Sequence, residues 1–412
     1  MSVRVLRQAR GVAGGIALPR VVLAALGAVV VGVAVGQGLS AERLVEAPWY
    51  LYLAGFLLAV GLYGSTHDIA LGEMRRDLRV LVLAVTLGVL LKALLIAGVM
   101  VLVFGKPEYL VLGIAVAQID PLSVAAMNKS RRMSPRAKSL LAAWASFDDP
   151  MTVLLTLYFS VLAFQLSDRS GGPAAGTVGE GSSAFLAGLG WNLVLLLAVA
   201  VLWGVPRWWL RRSRLRPGPR PTARTGSALA DGLSLVLALV LIAVAAGWML
   251  MAAVAVAGLF LRVGRYGPLV QRAVSVAFVL AAAILGLLLA EGIAPWRGFV
   301  LGLAAFGAQV VIGLWVAPRL ISGLGRSDRV QLGLGQQNGI TAIILALALE
   351  PDFPGTVAIV GPAILTVNAL YYFTNGAWAA WEDRTGGRYH QDQEGPCGLL
   401  QEPMESADTA KP

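Results

Sequence analysis

Charge is scarce in this chain. Only 14% of its 412 residues are Asp, Glu, Lys or Arg, while 57% are apolar. Soluble domains carry about 25% charge because their surfaces must stay wet, so a water-facing surface of the usual kind is excluded. Cysteine is nearly absent: Cys397 stands alone, which rules out an intrachain disulfide and a cysteine metal cluster. The only histidines are His67 and His390, too few for a histidine-based metal site. A glycine-rich phosphate loop is missing as well. No cofactor is expected. The net charge of +10 is not read as a nucleic-acid footprint, because the arginines must first be placed against a membrane.

What the chain has instead is long apolar blocks, such as Val21 to Gly36, Val80 to Phe104, Leu233 to Leu261 and Ala273 to Ala290. A helix needs roughly 20 mostly apolar residues to cross a hydrocarbon layer about 30 Å thick. The pattern predicts an all-α polytopic membrane protein with about twelve spanning helices. They fall at 18–39, 48–64, 79–104, 109–127, 138–165, 185–208, 228–246, 248–263, 269–291, 297–318, 330–350 and 355–381. Within 228–263 the alternative is one long helix, and Gly247 and Trp248 mark the expected break. Arg4, Arg7, Arg10 and Arg20 precede the first block. With no clear small-residue cleavage site after it, an uncleaved first span is expected rather than a signal peptide.

Lys and Arg collect on the cytoplasmic side of membrane proteins. With the N-terminus inside, the inner connections receive Arg75, Arg76 and Arg79, then Lys129 to Lys138, then the arginines between 207 and 224. Arg262, Arg265 and Arg272 follow, then Arg319, Arg326 and Arg329. The outer side receives only Arg43, Lys106, Arg169 and Arg297. Adding or dropping one span would scramble this alternation, so both termini are expected in the cytoplasm. Residues 1–17 form a cytoplasmic segment, Ser167 to Ser183 a flexible outer loop, and Arg211 to Thr225 an extended inner linker. Residues 382–412 read as a disordered cytoplasmic tail.

An ionisable group at the bilayer centre costs at least about 2.5–3.5 kcal/mol, which makes it a functional candidate by default. Asp120 lies in the fourth span, and Asp148 and Asp149 lie in the fifth. At 1.5 Å rise per residue each sits roughly 15–17 Å deep. Lys92 falls at about the same level in the third span. A single Asp–Lys pair has a purely structural reading, as packing. Three carboxylates facing one lysine exceed that, since adjacent carboxylates in a low dielectric cannot both ionise cheaply. Such a group holds a proton or exchanges it for a hard cation, and Ser146, Thr152 and Thr156 supply oxygens nearby.

The backbone at this depth carries breaking signals. Asp120-Pro121 and Asp149-Pro150 place proline inside apolar spans, where it removes a hydrogen bond and kinks a helix. In the eleventh span Gly333, Gly335, Gln336, Gln337, Asn338 and Gly339 interrupt the apolar run. They read as a broken helix, with packing of polar groups against a neighbour as the alternative. Spans three to five and ten to twelve enter the membrane in opposite senses, each trio with its interrupted helix in the middle. Inverted repeats with two crossed discontinuous helices and a midplane ion site are a recurrent transporter design.

These residues resemble the monovalent cation:proton antiporter superfamily, which includes bacterial sodium/proton antiporters of the double-Asp type. The carrying motifs are Ala-Gln-Ile-Asp-Pro at 117–121, Phe-Asp-Asp-Pro at 147–150 and the interrupted stretch 333–339. The resemblance implies a mobile core from spans 79–165 and 297–381 and a dimerisation scaffold from 18–64 and 185–291. It also implies elevator-like alternating access, a homodimer and a bacterial inner membrane. Asp149 becomes the main cation and proton carboxylate, Asp148 its neighbour, and Asp120 the balance for the crossed helix ends. Gln309, Gln336, Gln337 and Asn338 are supporting residues. The transported ion is sodium, with lithium or potassium as alternatives, and no enzymatic activity is implied. Two positions depart from the family pattern. Ile119 stands where a Thr is usual, and Phe306-Gly307-Ala308-Gln309 lacks the tenth-span Lys that pairs with the first Asp. Lys92 is the candidate replacement.

His67, beside Asp68 and Glu73, sits at an inner helix end, either as an exposed interfacial residue or as a pH sensor. Trp49, Trp208, Trp209 and Trp296 fall near span ends, as interfacial anchors do. One rival reading is a sodium-coupled carrier of a small organic substrate, which requires a larger polar cavity. Another is an intramembrane aspartyl protease using Asp120 and Asp149, whose Gly-x-Gly-Asp pattern is absent here.

Overall fold

The computed structural model describes residues 20–67, 78–119, 133–166, 181–213, 223–320 and 324–385. Among them there is no strand; apart from short turns and 3-10 segments, the chain is helical. The succession is α1 (Arg20–Gly36), α2 (Tyr50–His67), α3 (Leu78–Phe104), α4 (Leu110–Ala115), α5 (Pro135–Leu166) and α6 (Gly181–Ser213). Then come α7 (Ala223–Trp248), α8 (Met251–Phe260), α9 (Gly267–Leu289), α10 (Pro295–Val311), α11 (Arg326–Gly333), α12 (Ile340–Leu349) and α13 (Thr356–Thr385). Beyond α10 a π-helical stretch, Ile312–Val316, leads into Ala317–Leu320. Seven helices among the described residues are long and apolar enough to cross a membrane. Prolines open α5 and α10, where a missing N–H costs nothing.

α1 packs along α9, and α10 along α13. The first pair is close because Gly32 meets Gly286 and Gly36 meets Leu287 and Ala290: a Cβ on Gly32 would lie 2.2 Å from the Ala283 carbonyl oxygen, and one on Gly286 2.2 Å from that of Val29. Small residues four apart allow such backbone approach within a membrane.

Several elements differ from the sequence expectation. The break between the seventh and eighth spans falls at Met249, with φ 52°, next to the expected Gly247–Trp248. The eighth span is a helix of only 10 residues, about 15 Å long, so it reaches half way across a hydrocarbon layer. α6 and α7 extend into the expected linker and make residues 211–213 and 223–225 helical; residues 214–222 lie outside the described set. α13 continues past 381 to Thr385, with a basic residue, Arg384, in its last turn at the negative end of the helix dipole. Pro150 lies inside α5, which remains one helix from Pro135 to Leu166. The loop expected over Ser167 to Ser183 lies outside the described residues up to position 180 and is helical from Gly181; residues 1–19 and the tail from 386 also lie outside.

The two ends of the broken eleventh span are tied by carboxylates. At the start of α11, Asp328 accepts from Ser134 N at 2.9 Å and Ser134 Oγ at 2.8 Å, which joins it to the start of α5. Beyond α12, Glu350 accepts from Gly355 N at 2.7 Å and Val357 N at 2.6 Å, capping α13. Glu350 shares a cavity of about 600 Å³ with Glu42, Glu46 and Glu291, and no Lys, Arg or His among the described residues lines it. Burial, helped by the charge of Glu291, pushes the Glu350 carboxyl above its ordinary pKa despite those two N–H donors.

Candidate functional site

Two unwound backbone stretches meet inside the bundle. α4 ends at Ala115, and residues 116–119 leave the helix. α11 ends at Gly333 and α12 starts only at Ile340. Each break frees carbonyls and amides that a helix would have paired, and buried backbone groups must find other partners.

Side-chain amides supply them. Gln336 Nε2 donates to the carbonyls of Val116 at 3.2 Å and Gln118 at 2.9 Å, and Asn338 Nδ2 donates to Val116 at 3.1 Å. Gln336 Nε2 also lies 2.7 Å from Asn338 Oδ1. On the other flank Gln309 Nε2 donates to Leu332 O at 2.9 Å. The amides of the eleventh-span break therefore hold the fourth-span break directly.

The ion pair sits on this crossing. Lys92 Nζ, from α3, lies 3.1 Å from Asp148 Oδ2 on α5 and donates to Gln309 Oε1 at 3.2 Å and Gln336 Oε1 at 3.4 Å. The three N–H donors of an ammonium group are all engaged. Asp148 Oδ2 also accepts from Ile119 N at 2.8 Å, a donor freed where α4 unwinds. Lys92, Asp148, Gln309 and Gln336 are each 0% exposed. A charge pair so far from water persists only when well matched and hydrogen-bonded.

Asp149 is also buried, at 1% exposure, and lies within electrostatic reach of Lys92. One residue along a helix turns the side chain by about 100°, so Asp149 points away from the direction taken by Asp148. Thr152 lies one turn on, buried, and its Oγ1 has no hydrogen-bond partner among the described residues. The Thr156 hydroxyl donates to the Thr152 carbonyl at 2.8 Å, so it is occupied within its own helix.

The remaining candidates divide. Asp120 falls outside the described residues, and of Ser146 only the backbone, within α5, is described. Gln337 turns away from Lys92, its Nε2 donating to the Tyr372 hydroxyl at 3.3 Å. His67 is not an exposed interfacial residue: it is 8% exposed and its Nε2 accepts from Val263 N at 3.3 Å. That bond ties the end of α2 to the loop after α8. Asp68 and Glu73 lie outside the described residues.

The sequence reading missed the contribution of α13. Asn368 pairs with both backbone groups of Asn338: its Oδ1 accepts from Asn338 N at 3.3 Å and its Nδ2 donates to Asn338 O at 3.2 Å. Asn375 Nδ2 donates to Leu334 O at 3.0 Å. With Tyr372 these residues fall at i, i+4 and i+7, one face of a helix, and that spacing was the available signal.

A family profile described as sodium/hydrogen exchanger, transmembrane, matches residues 10–374. The chain belongs to the sodium/hydrogen exchanger family. It is therefore an integral membrane transporter of the cation/proton antiport class, not an enzyme. The fold is also similar to that of the sodium proton antiporter MjNhaP1 from Methanocaldococcus jannaschii at pH 8, with a TM-score of 0.58 and 16% identity. That match covers 84% of this chain and 91% of the other. No curated protein matches the chain. The tenth-span stretch, which has no lysine, offers Gln309, and the ammonium group of Lys92, the candidate replacement, reaches Asp148 from α3.

Proposed function

We propose that the chain exchanges sodium for protons by alternating access, with cation and proton competing for Asp149. The observation that carries this reading is the buried Lys92–Asp148 pair beside a second buried carboxylate. Asp148 already balances one positive charge and accepts a backbone N–H. Asp149 is the adjacent buried carboxylate, and a carboxyl group in a low dielectric can hold a proton or exchange it for a hard cation. A hard monovalent cation binds through oxygens, and the Thr152 hydroxyl and freed carbonyls near the crossing are of that kind.

In this reading Lys92 and Asp148 hold the crossing, Gln309, Gln336 and Asn338 support it, and Asp120 balances a helix end. Helices from residues 79–165 and 297–381 move together against a scaffold from 18–64 and 185–291. The acidic cavity between Glu42, Glu46, Glu291 and Glu350 raises the local cation concentration at its end of the bundle, as clefts of one charge sign do. A homodimer in a bacterial inner membrane with both termini cytoplasmic belongs to the same proposal. It draws on the family resemblance and on the one-sided distribution of arginines.

Reconstitution tests it. In proteoliposomes carrying a pH gradient, sodium addition should dissipate the gradient in wild type and leave it intact in Asp149→Asn of equal abundance. Exchange retained by the variant would remove Asp149 from the account. Sodium uptake that depends on an organic solute would favour the carrier reading.

A further inference from the structure

The last helix does more than cover the crossing. The segment Leu334–Gly339 has no helical ladder of its own, and its position is set by side chains reaching it from several directions. From the unwound stretch after α4, the Val116 and Gln118 carbonyls receive its amides. From α13, Asn368 grips Asn338 through both backbone groups, and Asn375 holds the Leu334 carbonyl. The grip at Asn338 resembles a strand pairing made by one side chain, since a carboxamide presents the same donor and acceptor as a peptide.

Asn338 is directly coupled to the ion pair. Its Oδ1 accepts from Gln336 Nε2 at 2.7 Å, and Gln336 Oε1 in turn accepts from Lys92 at 3.4 Å. A continuous path of hydrogen bonds therefore runs from Asn368 through Asn338, Gln336 and Lys92 to Asp148. Every link except the first is buried, so the geometry at the carboxylates depends on where Asn368 sets the break. No other described side chain bonds to the Asn338 backbone.

We propose that Asn368 is a positioning residue for ion exchange, which acts through the Asn338 backbone to set Gln336 and Lys92 against Asp148, with Asn375 fixing the near end of the same break. α13 thereby links its own tilt to the ion site. The inference rests on the assignment of that site under Proposed function.

The two roles of such a residue separate kinetically. A merely structural contact, once lost, reduces the number of active transporters and so the maximal rate alone. A displaced break alters the site in every molecule and shifts the cation KM and the pH of half-maximal exchange. Asn368→Ala loses two hydrogen bonds, and the expected rise in sodium KM in proteoliposomes is about tenfold. Asn375→Ala, which loses its one bond to the break, at Leu334, and a local one to the Tyr371 carbonyl, should raise KM by about threefold and carries the same test if Asn368→Ala does not accumulate. A wild-type KM and pH profile shared by the variant overturn the inference while leaving the exchange mechanism in place. A wild type with no measurable cation response overturns the site assignment and this inference together.

Discussion

Lys92 and Asp148 form an ion pair across α3 and α5, 3.1 Å from Nζ to Oδ2, with neither side chain reaching solvent. Removing one partner of such a pair strands the other charge. Lys92→Gln should destabilise the protein by about 3–5 kcal/mol. The double variant Lys92→Gln with Asp148→Asn should recover most of that loss, since no buried charge is left unmatched. Thermal unfolding in detergent of the two single variants and the double variant gives the coupling. Additive losses would mean that the pair contributes nothing as a pair.

The π-helical stretch after α10 brings Gly313 against Gly333 at the end of α11. A Cβ on Gly313 would lie 2.3 Å from Gly333 N, a contact with backbone that has no flexible end to yield. Gly313→Ala should cost about 1–3 kcal/mol through overpacking and slow exchange by displacing the broken span. Gly307→Ala on the same helix meets nothing within 4 Å and should leave both properties unchanged. Equal behaviour of the two variants in unfolding and transport assays would refute the close contact.

Much of this site is legible in the sequence because burying charge is costly. Asp148, Asp149 and Lys92 stand out from apolar spans, and counting residues from the span ends places them at one depth. The glycines and amides from 333 to 339 likewise announce a break. What periodicity does not give is direction. Gln336 and Gln337 are neighbours of the same type, yet one reaches Lys92 and the other the Tyr372 hydroxyl. Asn368 and Asn375 do not announce their partners in the sequence, because these are backbone groups 30 and 41 residues away in the chain.

The half-length eighth helix and the burial of His67 share a related cause. An apolar run near the usual span length has the same composition whether it crosses lipid or ends inside protein. The turn at Met249 takes a positive φ that sequence rules assign to the nearby Gly247. His67 lies at a helix end, where exposure is the simple expectation, but the loop after α8 folds over it and donates the Val263 N–H.

Glu350 gives a pH-dependent prediction. Its carboxyl is raised above the ordinary value chiefly by burial, with Glu291 adding to the effect. Between the unfolded and folded pKa values the folded state binds the proton while the unfolded state does not, so this group makes stability rise as pH falls. Glu350→Gln removes that contribution. The change in melting temperature on going from pH 8 to about pH 5 should be more stabilising in wild type than in the variant. Parallel pH profiles would contradict the raised pKa.

The central claim is that cation and proton compete for Asp149, and proton release on cation binding tests it most directly. Purified protein in weakly buffered detergent, held at a pH where the site is protonated, is mixed with sodium chloride, and the released protons are read with an indicator dye. Choline chloride at equal ionic strength serves as the control. The account predicts sodium-dependent release from wild type and none from Asp149→Asn. Sodium binding to wild type without proton release, or undiminished release from Asp149→Asn, would contradict it.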